Sequence, residues 1–174
     1  VFNMSDLMNN IKDLREMTGA GFLDCKNALK ENDHDLDRSV TFLRKRGLAK
    51  ANKKSSREAN EGAVGIYFNE SIVSIIQINT ETDFAAKNEV FLNFMDKIGK
   101  FSLLKNDHNI SLSDFNNFVF EESTIEDHFK DIISKVGENI ILSKLLFIKS
   151  NKKLMTSTYI HNSYRNNIGK IAVV

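Results

Sequence analysis

The first 46 residues carry apolar positions at helical spacing, in three short stretches separated by polar breaks. Leu7, Ile11 and Leu14 predict one face of a first helix, for which Ser5 is a candidate N-cap. Residues 18–21 contain two glycines, which predict a tight turn because glycine adopts a positive φ at little cost. The pattern therefore favours a bundle of short helices at this end of the chain.

Two further helices complete the predicted bundle. The second runs from about Asp24 to Leu29, and residues 32–35 form a polar turn after it. In the third helix, Leu36, Val40 and Leu43 repeat at spacings of four and three residues and are predicted to face inward. Gly47 is the predicted C-terminal end of this helix. Because three helices in under about 50 residues enclose a very small core, we expect the bundle to depend on the rest of the chain or on a partner.

The period of the pattern changes after residue 61. Residues 63–68 and 72–78 are rich in Val, Ile, Tyr and Phe on either side of a short polar turn, which predicts a β-hairpin. The chain then leaves the sheet through Thr82, Asp83 and Phe84. Two interpretations of Phe84 stay open: it folds back under the sheet as a helix staple, or it points outward as an aromatic wedge beside a carboxylate.

The remaining pattern predicts helices packed against further strands. One helix spans about 88–103, and another begins after the candidate cap Thr124 and ends at Gly137. Strands are predicted at 140–148, 154–160 and 168–174, whereas 105–123 fits no clear pattern. The expected fold class is α+β, a three-helix bundle followed by an antiparallel sheet packed against helices. The expected segments are a helical domain at 1–47, a basic linker at 48–61, a core at 62–149 and the start of a second core part at 150–174.

Composition narrows the class of protein without naming its function. The 174 residues have 24 basic and 23 acidic side chains, so no global field attracts nucleic acid or a membrane. The first residues lack the basic and apolar regions of a signal peptide, and a single cysteine fits a reducing compartment. We expect a soluble intracellular protein. Because the sequence ends on an apolar strand that nothing covers, we also expect it to be part of a longer chain.

No arrangement of reactive side chains predicts an enzyme, a metal or a cofactor. Cys25 has no base at a recognised spacing, and the usual burial of free cysteine favours a core position. The histidines and glycines form no metal-binding or phosphate-binding motif; they include His34, His108, His128, His161, Gly19, Gly21, Gly62 and Gly65. The basic run 44–57 carries seven basic residues and no acid, but it lacks aromatic residues for base stacking, so we interpret it as a solvated linker.

Two long motifs and two short ones resemble those of the translation elongation factor Ts family. Residues 14–29 read LREMTGAGFLDCKNAL, which is similar to that family's L-R-x-x-T-G-A-G-x-x-D-C-K-x-A-L signature. Residues 80–88 read TETDFAAKN and resemble its T-D-F-V-A-[KR]-N motif. Residues 137–140 (GENI) are similar to I-G-E-N-I, and Tyr159-Ile160-His161 is followed by an I-G-K-I sequence at 168–171. Their order and spacing agree with the family from Leu7 to the last residue.

The resemblance implies a ubiquitin-associated-like bundle and a core that together grip elongation factor Tu, in its GDP-bound and nucleotide-free forms. It implies nucleotide exchange, in which Asp83 and Phe84 intrude near the Mg²⁺ site of Tu and no covalent bond is broken. The implied wedge set is Thr82, Asp83, Phe84, Ala85 and Lys87. The other implied contacts are Lys12, Arg15, Phe22, Leu23, Val136, Gly137 and His161. No cofactor, nucleic acid or membrane is implied, and a homodimer is left open.

Three departures from the family pattern bear on these residues. Phe22-Leu23 stands where the family often has Met-Met, which keeps an apolar contact. Ala85 replaces a valine, which removes two methyl groups behind the wedge. Residues 162–167 predict a longer and more polar loop after His161 than is usual.

Two other functions remain open at the level of the sequence. One is a ubiquitin-associated-type adaptor whose bundle binds some other partner, and the second is RNA binding through 44–57, which predicts a steep salt dependence. The expected compartment is the bacterial cytoplasm, with a mitochondrial or plastid matrix as the alternative.

Overall fold

The computed structural model describes residues 4–105, 110–149 and 157–174. The chain divides into two compact units, Val1–Lys53 and Lys54–Val174. The four segments predicted from the sequence, with a linker at 48–61 and a second core part from 150, are a finer division that stays a prediction. Among the described residues, no helix has the length and apolar character needed to cross a membrane.

The first unit is a bundle of three helices, α1 (Met4–Thr18), α2 (Phe22–Glu31) and α3 (Leu36–Lys54). The predicted break between α1 and α2 is confirmed, and Gly19 there has a φ of 68°. The bundle encloses a small core of Ile11, Leu14, Cys25, Ala28, Leu29 and Leu43. Ser5 lies inside α1, which already includes Met4, so its prediction as the N-cap is wrong.

The predicted end of α3 at Gly47 is also wrong. Gly47 is buried within the helix, which continues to Lys54. Asp24 of α2 forms ion pairs with Arg46 (3.6 Å) and Lys50 (2.9 Å), which lie on either side of Gly47. A glycine inside a helix costs only about 1 kcal/mol relative to alanine, and the good helix formers at 48–54 continue the helix. Most of the basic run is therefore helical.

The second unit is built on a five-stranded antiparallel sheet. Its strands are β1 (Glu61–Phe68), β2 (Ile72–Thr80), β5 (Ile140–Lys149), β6 (Tyr159–Arg165) and β7 (Ile168–Val173), in the spatial order β5-β2-β1-β7-β6. The predicted β1–β2 hairpin is confirmed, and it pairs from Glu61↔Thr80 to Phe68↔Val73. A two-stranded ladder, β3 (Val119–Phe120) with β4 (Ser123–Thr124), occupies part of the segment that fits no clear sequence pattern.

The described part of this unit contains four helices: α4 (Asp83–Ala86), α5 (Glu89–Ser102), α6 (Leu112–Asn117) and α7 (Ile125–Val136). Helices α4 and α5 contact β1 and β2, and α7 contacts β5 and α5. The largest fully buried side chains between helices and sheet include Phe91, Met95, Ile98, Ile76 and Ile78. The α+β fold class predicted from the sequence is confirmed, as are the caps of α7 at Thr124 and Gly137.

The end of the chain differs from its prediction. Residues 150–156, which include the first three residues of the strand predicted at 154–160, lie outside the described residues. The described strand β6 runs from Tyr159 to Arg165 and turns directly into β7. His161 therefore lies within a strand. The long polar loop predicted after it is wrong, because β6 continues to Arg165, and Ser163 and Arg165 pair with β7.

Candidate functional site

Helix α4 presents an aromatic side chain to solvent. Thr82 is its N-cap, and the Thr82 hydroxyl accepts a hydrogen bond from the backbone N–H of Ala85 (3.3 Å). Phe84, in the first turn of the helix, is 81% exposed. This exposure decides between the two interpretations of Phe84: the ring does not fold back under the sheet.

The buried side of α4 explains why Phe84 faces outward. Ala85 and Ala86 are buried, and α4 contacts β1 and β2. In a single helical turn, burying two consecutive positions leaves the residue before them on the opposite side. The small side chains let the turn lie close to the sheet. Ala85 therefore lies behind the exposed ring and presents little surface of its own.

Asp83 and Lys87 form an ion pair across this turn. The Lys87 ammonium donates to the Asp83 carboxylate at 2.7 Å. This hydrogen bond lowers the pKa of Asp83 and raises the pKa of Lys87. Both charges are largely exposed, so the pair contributes little to stability. Lys87 also lies 5.9 Å from the ring centre of Tyr164, which places the strand β6 beside this turn.

Two carboxylates connect the start of α4 to the residues that follow α7. Glu138 accepts hydrogen bonds from the backbone N–H (2.9 Å) and the hydroxyl (2.7 Å) of Thr82. In the reverse direction, Glu81 accepts a hydrogen bond from the backbone N–H of Asn139 (2.6 Å). We call these four residues with their three hydrogen bonds the 81/138 clasp. It joins segments that are 56 to 58 residues apart in the chain.

The clasp is tied in turn to the segment before β1. The side-chain amide of Asn139, which is buried, donates to the carbonyl of Arg57 at 2.6 Å. Arg57 also lies 3.5 Å from the Glu81 carboxylate, and Lys54 donates to the carbonyl of Gly137 at 2.6 Å. Sequence reasoning recognised Glu138 and Asn139 only as part of a family motif and missed their role. The signal in the sequence was the position of these two polar residues between a predicted helix and a predicted strand.

The residues predicted as partner contacts fall into three places. Thr82, Asp83, Phe84 and Lys87 lie on or beside α4. Val136 and Gly137 directly precede Glu138, which the clasp joins to Thr82. His161 is exposed on β6, where Tyr159 and His161 form a hydrogen bond of 3.2 Å. Lys12, Arg15, Phe22 and Leu23 belong to the first unit and are exposed, with Leu23 at 70%.

The described residues hold no group of acidic, histidine and cysteine side chains that could bind a metal ion. Cys25 is buried, and this burial raises the pKa of its thiol. A raised pKa keeps the sulfur protonated near neutral pH and unreactive, which agrees with the core position predicted for it. The chemical groups that the site exposes are the aromatic ring of Phe84 and the ion pair of Asp83 with Lys87.

Comparison with known proteins decides the family. The family model for "Elongation factor TS" matches residues 81–174, more than half of the chain. The chain belongs to the elongation factor Ts family. The match begins at Glu81, the first residue of the clasp, and it includes α4 and the GENI sequence.

Several relatives of this family cover nearly the whole chain. An elongation factor Ts of Sinorhizobium fredii is 38% identical over 164 residues, which is 94% of this chain and 53% of that protein. The elongation factor Ts of Bartonella henselae is 36% identical over 171 residues, 98% of this chain and 55% of that protein. The elongation factor Ts of Allorhizobium ampelinum is 35% identical over 164 residues. The chain spans about half the length of the curated relatives it matches.

Proposed function

We propose that this chain promotes the release of GDP from elongation factor Tu during the elongation phase of protein synthesis. The single observation that carries the proposal is Phe84, a large aromatic ring 81% exposed on an anchored turn. An exposed aromatic residue on a rigid support is typical of a binding hot spot. Membership of the elongation factor Ts family supports the choice of partner.

The proposed mechanism is disruption of the Mg²⁺ site of the partner. Mg²⁺ neutralises phosphate charge, so displacing it removes a large electrostatic share of nucleotide affinity. Phe84 is the wedge, and Asp83 brings a carboxylate beside it. Thermodynamic linkage then requires GDP to weaken the grip of the exchange factor by the same factor. No covalent bond changes, so the chain acts as an exchange factor and not as an enzyme of covalent chemistry.

The other residues implied by the family extend the contact. Lys12, Arg15, Phe22 and Leu23 supply two cations and two apolar side chains from the first unit, all exposed. Val136 and Gly137 at the end of α7, and His161 on β6, supply further contacts from the core. The proposed partner is elongation factor Tu in its GDP-bound and nucleotide-free forms, without a nucleic acid or a membrane, in the bacterial cytoplasm.

The test is stopped-flow release of a fluorescent GDP analogue from a bacterial elongation factor Tu, with and without this chain. We expect the release rate to rise by orders of magnitude and to saturate with the concentration of the chain. Binding without faster release would contradict exchange by this chain while preserving the partner. Neither binding nor acceleration would favour the adaptor alternative, and a steep loss of RNA binding with salt would favour the RNA alternative.

A further inference from the structure

We propose that Glu138 is a positioning residue for nucleotide exchange, which holds Thr82 so that α4 begins at Asp83 and Phe84 points to solvent. This inference rests on the proposed function, but its structural half can be measured on the chain alone. Glu138 does not touch the wedge. It acts through Thr82, the cap of the turn that carries Phe84.

The first argument is the way in which the Glu138 carboxylate is used. One oxygen accepts from the backbone N–H of Thr82 and the other accepts from its hydroxyl. A threonine hydroxyl has one proton and two lone pairs. Because Glu138 takes the proton, a lone pair is left to accept from the N–H of Ala85, which is the capping bond of α4. Glu138 thus fixes both the backbone of Thr82 and the orientation of its hydroxyl.

The second argument is that Glu138 is itself held in place. It follows Gly137, which ends α7 with a φ of 88°, a conformation that glycine adopts readily. It precedes Asn139, whose backbone donates to Glu81 and whose side chain donates to the carbonyl of Arg57. A carboxylate fixed by its neighbours on both sides can impose its geometry on Thr82, whereas a mobile one cannot.

The third argument is the length of α4. A helix of four residues has no stability of its own, because the conformational entropy lost in forming the first turn exceeds the free energy gained from its hydrogen bonds. Its conformation depends on the cap at Thr82 and on the burial of Ala85 and Ala86. Removing Glu138 is therefore expected to loosen α4 while the larger elements, which have their own cores, stay folded.

The structural half is tested by amide hydrogen exchange of the isolated chain, measured by NMR for Glu138→Ala. We expect the amides of Thr82 and Ala85 to exchange about tenfold faster or more, because both lose protection when the cap loosens. Glu138→Gln should be intermediate, since an amide can accept from the N–H but offers only one oxygen. Unchanged exchange at both amides in Glu138→Ala would overturn the proposal.

Asp127→Ala is the matched control. Asp127 also accepts a hydrogen bond from a threonine cap, that of Thr124 (2.9 Å), but at the opposite end of α7. It should leave the amides of Thr82 and Ala85 within twofold of the wild-type rates. A change at α4 as large as that of Glu138→Ala would assign the effect to general destabilisation and overturn the proposal.

The functional half is tested by a double-mutant cycle on GDP release. Glu138→Ala should lower the maximal release rate at saturating chain by about tenfold, equivalent to about 1.4 kcal/mol. In a Phe84→Ala background, Glu138→Ala should lower the maximal release rate less than twofold, because the ring that Glu138 positions has already been removed. Equal losses in both backgrounds would overturn a role through Phe84.

The two proposals fail in different ways. If the wild-type chain does not accelerate GDP release, the proposed function fails, and the amide measurement alone decides whether Glu138 positions α4. If release is fast in the wild type and unchanged in Glu138→Ala, the proposed function stands and the positioning role is wrong.

Discussion

Phe84 shows how one residue can differ from what its type predicts. Phenylalanine is usually buried, yet this ring is exposed while the two alanines that follow it are buried. Keeping the ring in water gives up roughly 2 kcal/mol of burial free energy. The exposure of Phe84 at that cost, on a turn that Thr82 caps, supports the proposed contact of the ring with another protein.

The first prediction concerns this residue. Phe84→Ala should change the free energy of unfolding by less than about 0.5 kcal/mol, because the ring buries little surface. The same variant should lose about thirtyfold or more in the rate of GDP release, the scale of a hot spot worth about 2 kcal/mol. Urea unfolding and stopped-flow release measure the two effects.

Phe68→Ala is the matched control for Phe84→Ala. Phe68 is the same residue type, 62% exposed at the end of β1, and no role is assigned to it. It should leave the release rate within twofold. If both variants lose activity equally, the effect belongs to exposed aromatic surface in general, and the wedge assignment is wrong.

At the scale of elements, the contact between α5 and β1 organises the second unit. Tyr67 of β1 lies under α5, and its hydroxyl donates to the carbonyl of Met95 at 3.1 Å. Gly99 of α5 leaves room for the ring, since a Cβ there would lie 1.9 Å from the Tyr67 Cε2 atom. The period of the sequence predicts both elements, but only packing shows why position 99 has no side chain.

A substitution at Gly99 tests this packing. Gly99→Ala should lower the free energy of unfolding by about 1–3 kcal/mol through overpacking, although alanine favours the helix by up to about 1 kcal/mol. Lys97→Ala, an exposed change on the same helix that removes only a surface ion pair, should stay within about 0.5 kcal/mol. A Gly99→Ala variant as stable as the wild type in urea would show that the ring moves freely.

Tyr67 also gives the contact a dependence on pH. Burial raises the pKa of Tyr67 well above its ordinary value of 10. Above that ordinary value the unfolded chain loses the phenolic proton while the folded chain keeps it. The contribution of the protonated Tyr67 to the free energy of unfolding is therefore complete below pH 10. Above pH 10 it falls by up to about 1.4 kcal/mol per pH unit.

The prediction compares Tyr67→Phe with the wild type by urea unfolding at pH 7, 10 and 11. At pH 7 the variant should be less stable by about 1 kcal/mol, because the hydrogen bond from the Tyr67 hydroxyl to the carbonyl of Met95 is lost. The difference should narrow as the pH rises above 10, where only the wild type loses stability from this group. An equal narrowing in Tyr159→Phe, whose ring is 59% exposed, would contradict the assignment to Tyr67.

At the scale of the whole molecule, the chain consists of two units with separate cores. Among the described residues, the hydrophobic cluster of the first unit has six buried members, whereas the second unit has a sheet that helices contact. A core of that size supplies little stability, so a single cavity within it has a large effect.

Leu14→Ala tests the separation of the cores. Leu14 is fully buried, and its truncation should cost about 2–5 kcal/mol in the first unit. Amides of α1, α2 and α3 should lose protection against hydrogen exchange, while those of β1 and β2 keep theirs. Met17→Ala, an exposed change on the same helix, should leave both sets unchanged. Equal loss of protection in both units would show that they unfold as one.

The amino-acid sequence is enough to predict the type of the longer helices and strands and the family of the protein, whereas it does not predict α4, α6, β3 or β4. Helical and alternating periods, the caps at Thr124 and Gly137, and the glycine turn after α1 are local properties that a few neighbouring residues settle. The motifs at 14–29 and 80–88 are equally local. The predictions at Ser5 and Gly47 are wrong because each residue has a local preference for a helix end, whereas the helix continues past it in the structure.

Tertiary structure alone decided the geometry of the candidate site. The outward position of Phe84 depends on the burial of Ala85 and Ala86 against the sheet and on the bonds of Glu138 to Thr82. Thr82 and Glu138 lie 56 residues apart. Neither a hydrophobic period nor a local motif predicts which distant carboxylate will bond to a given threonine. Folding brings them together because the sheet places the end of β2 beside the start of β5, where Thr80 pairs with Ile140.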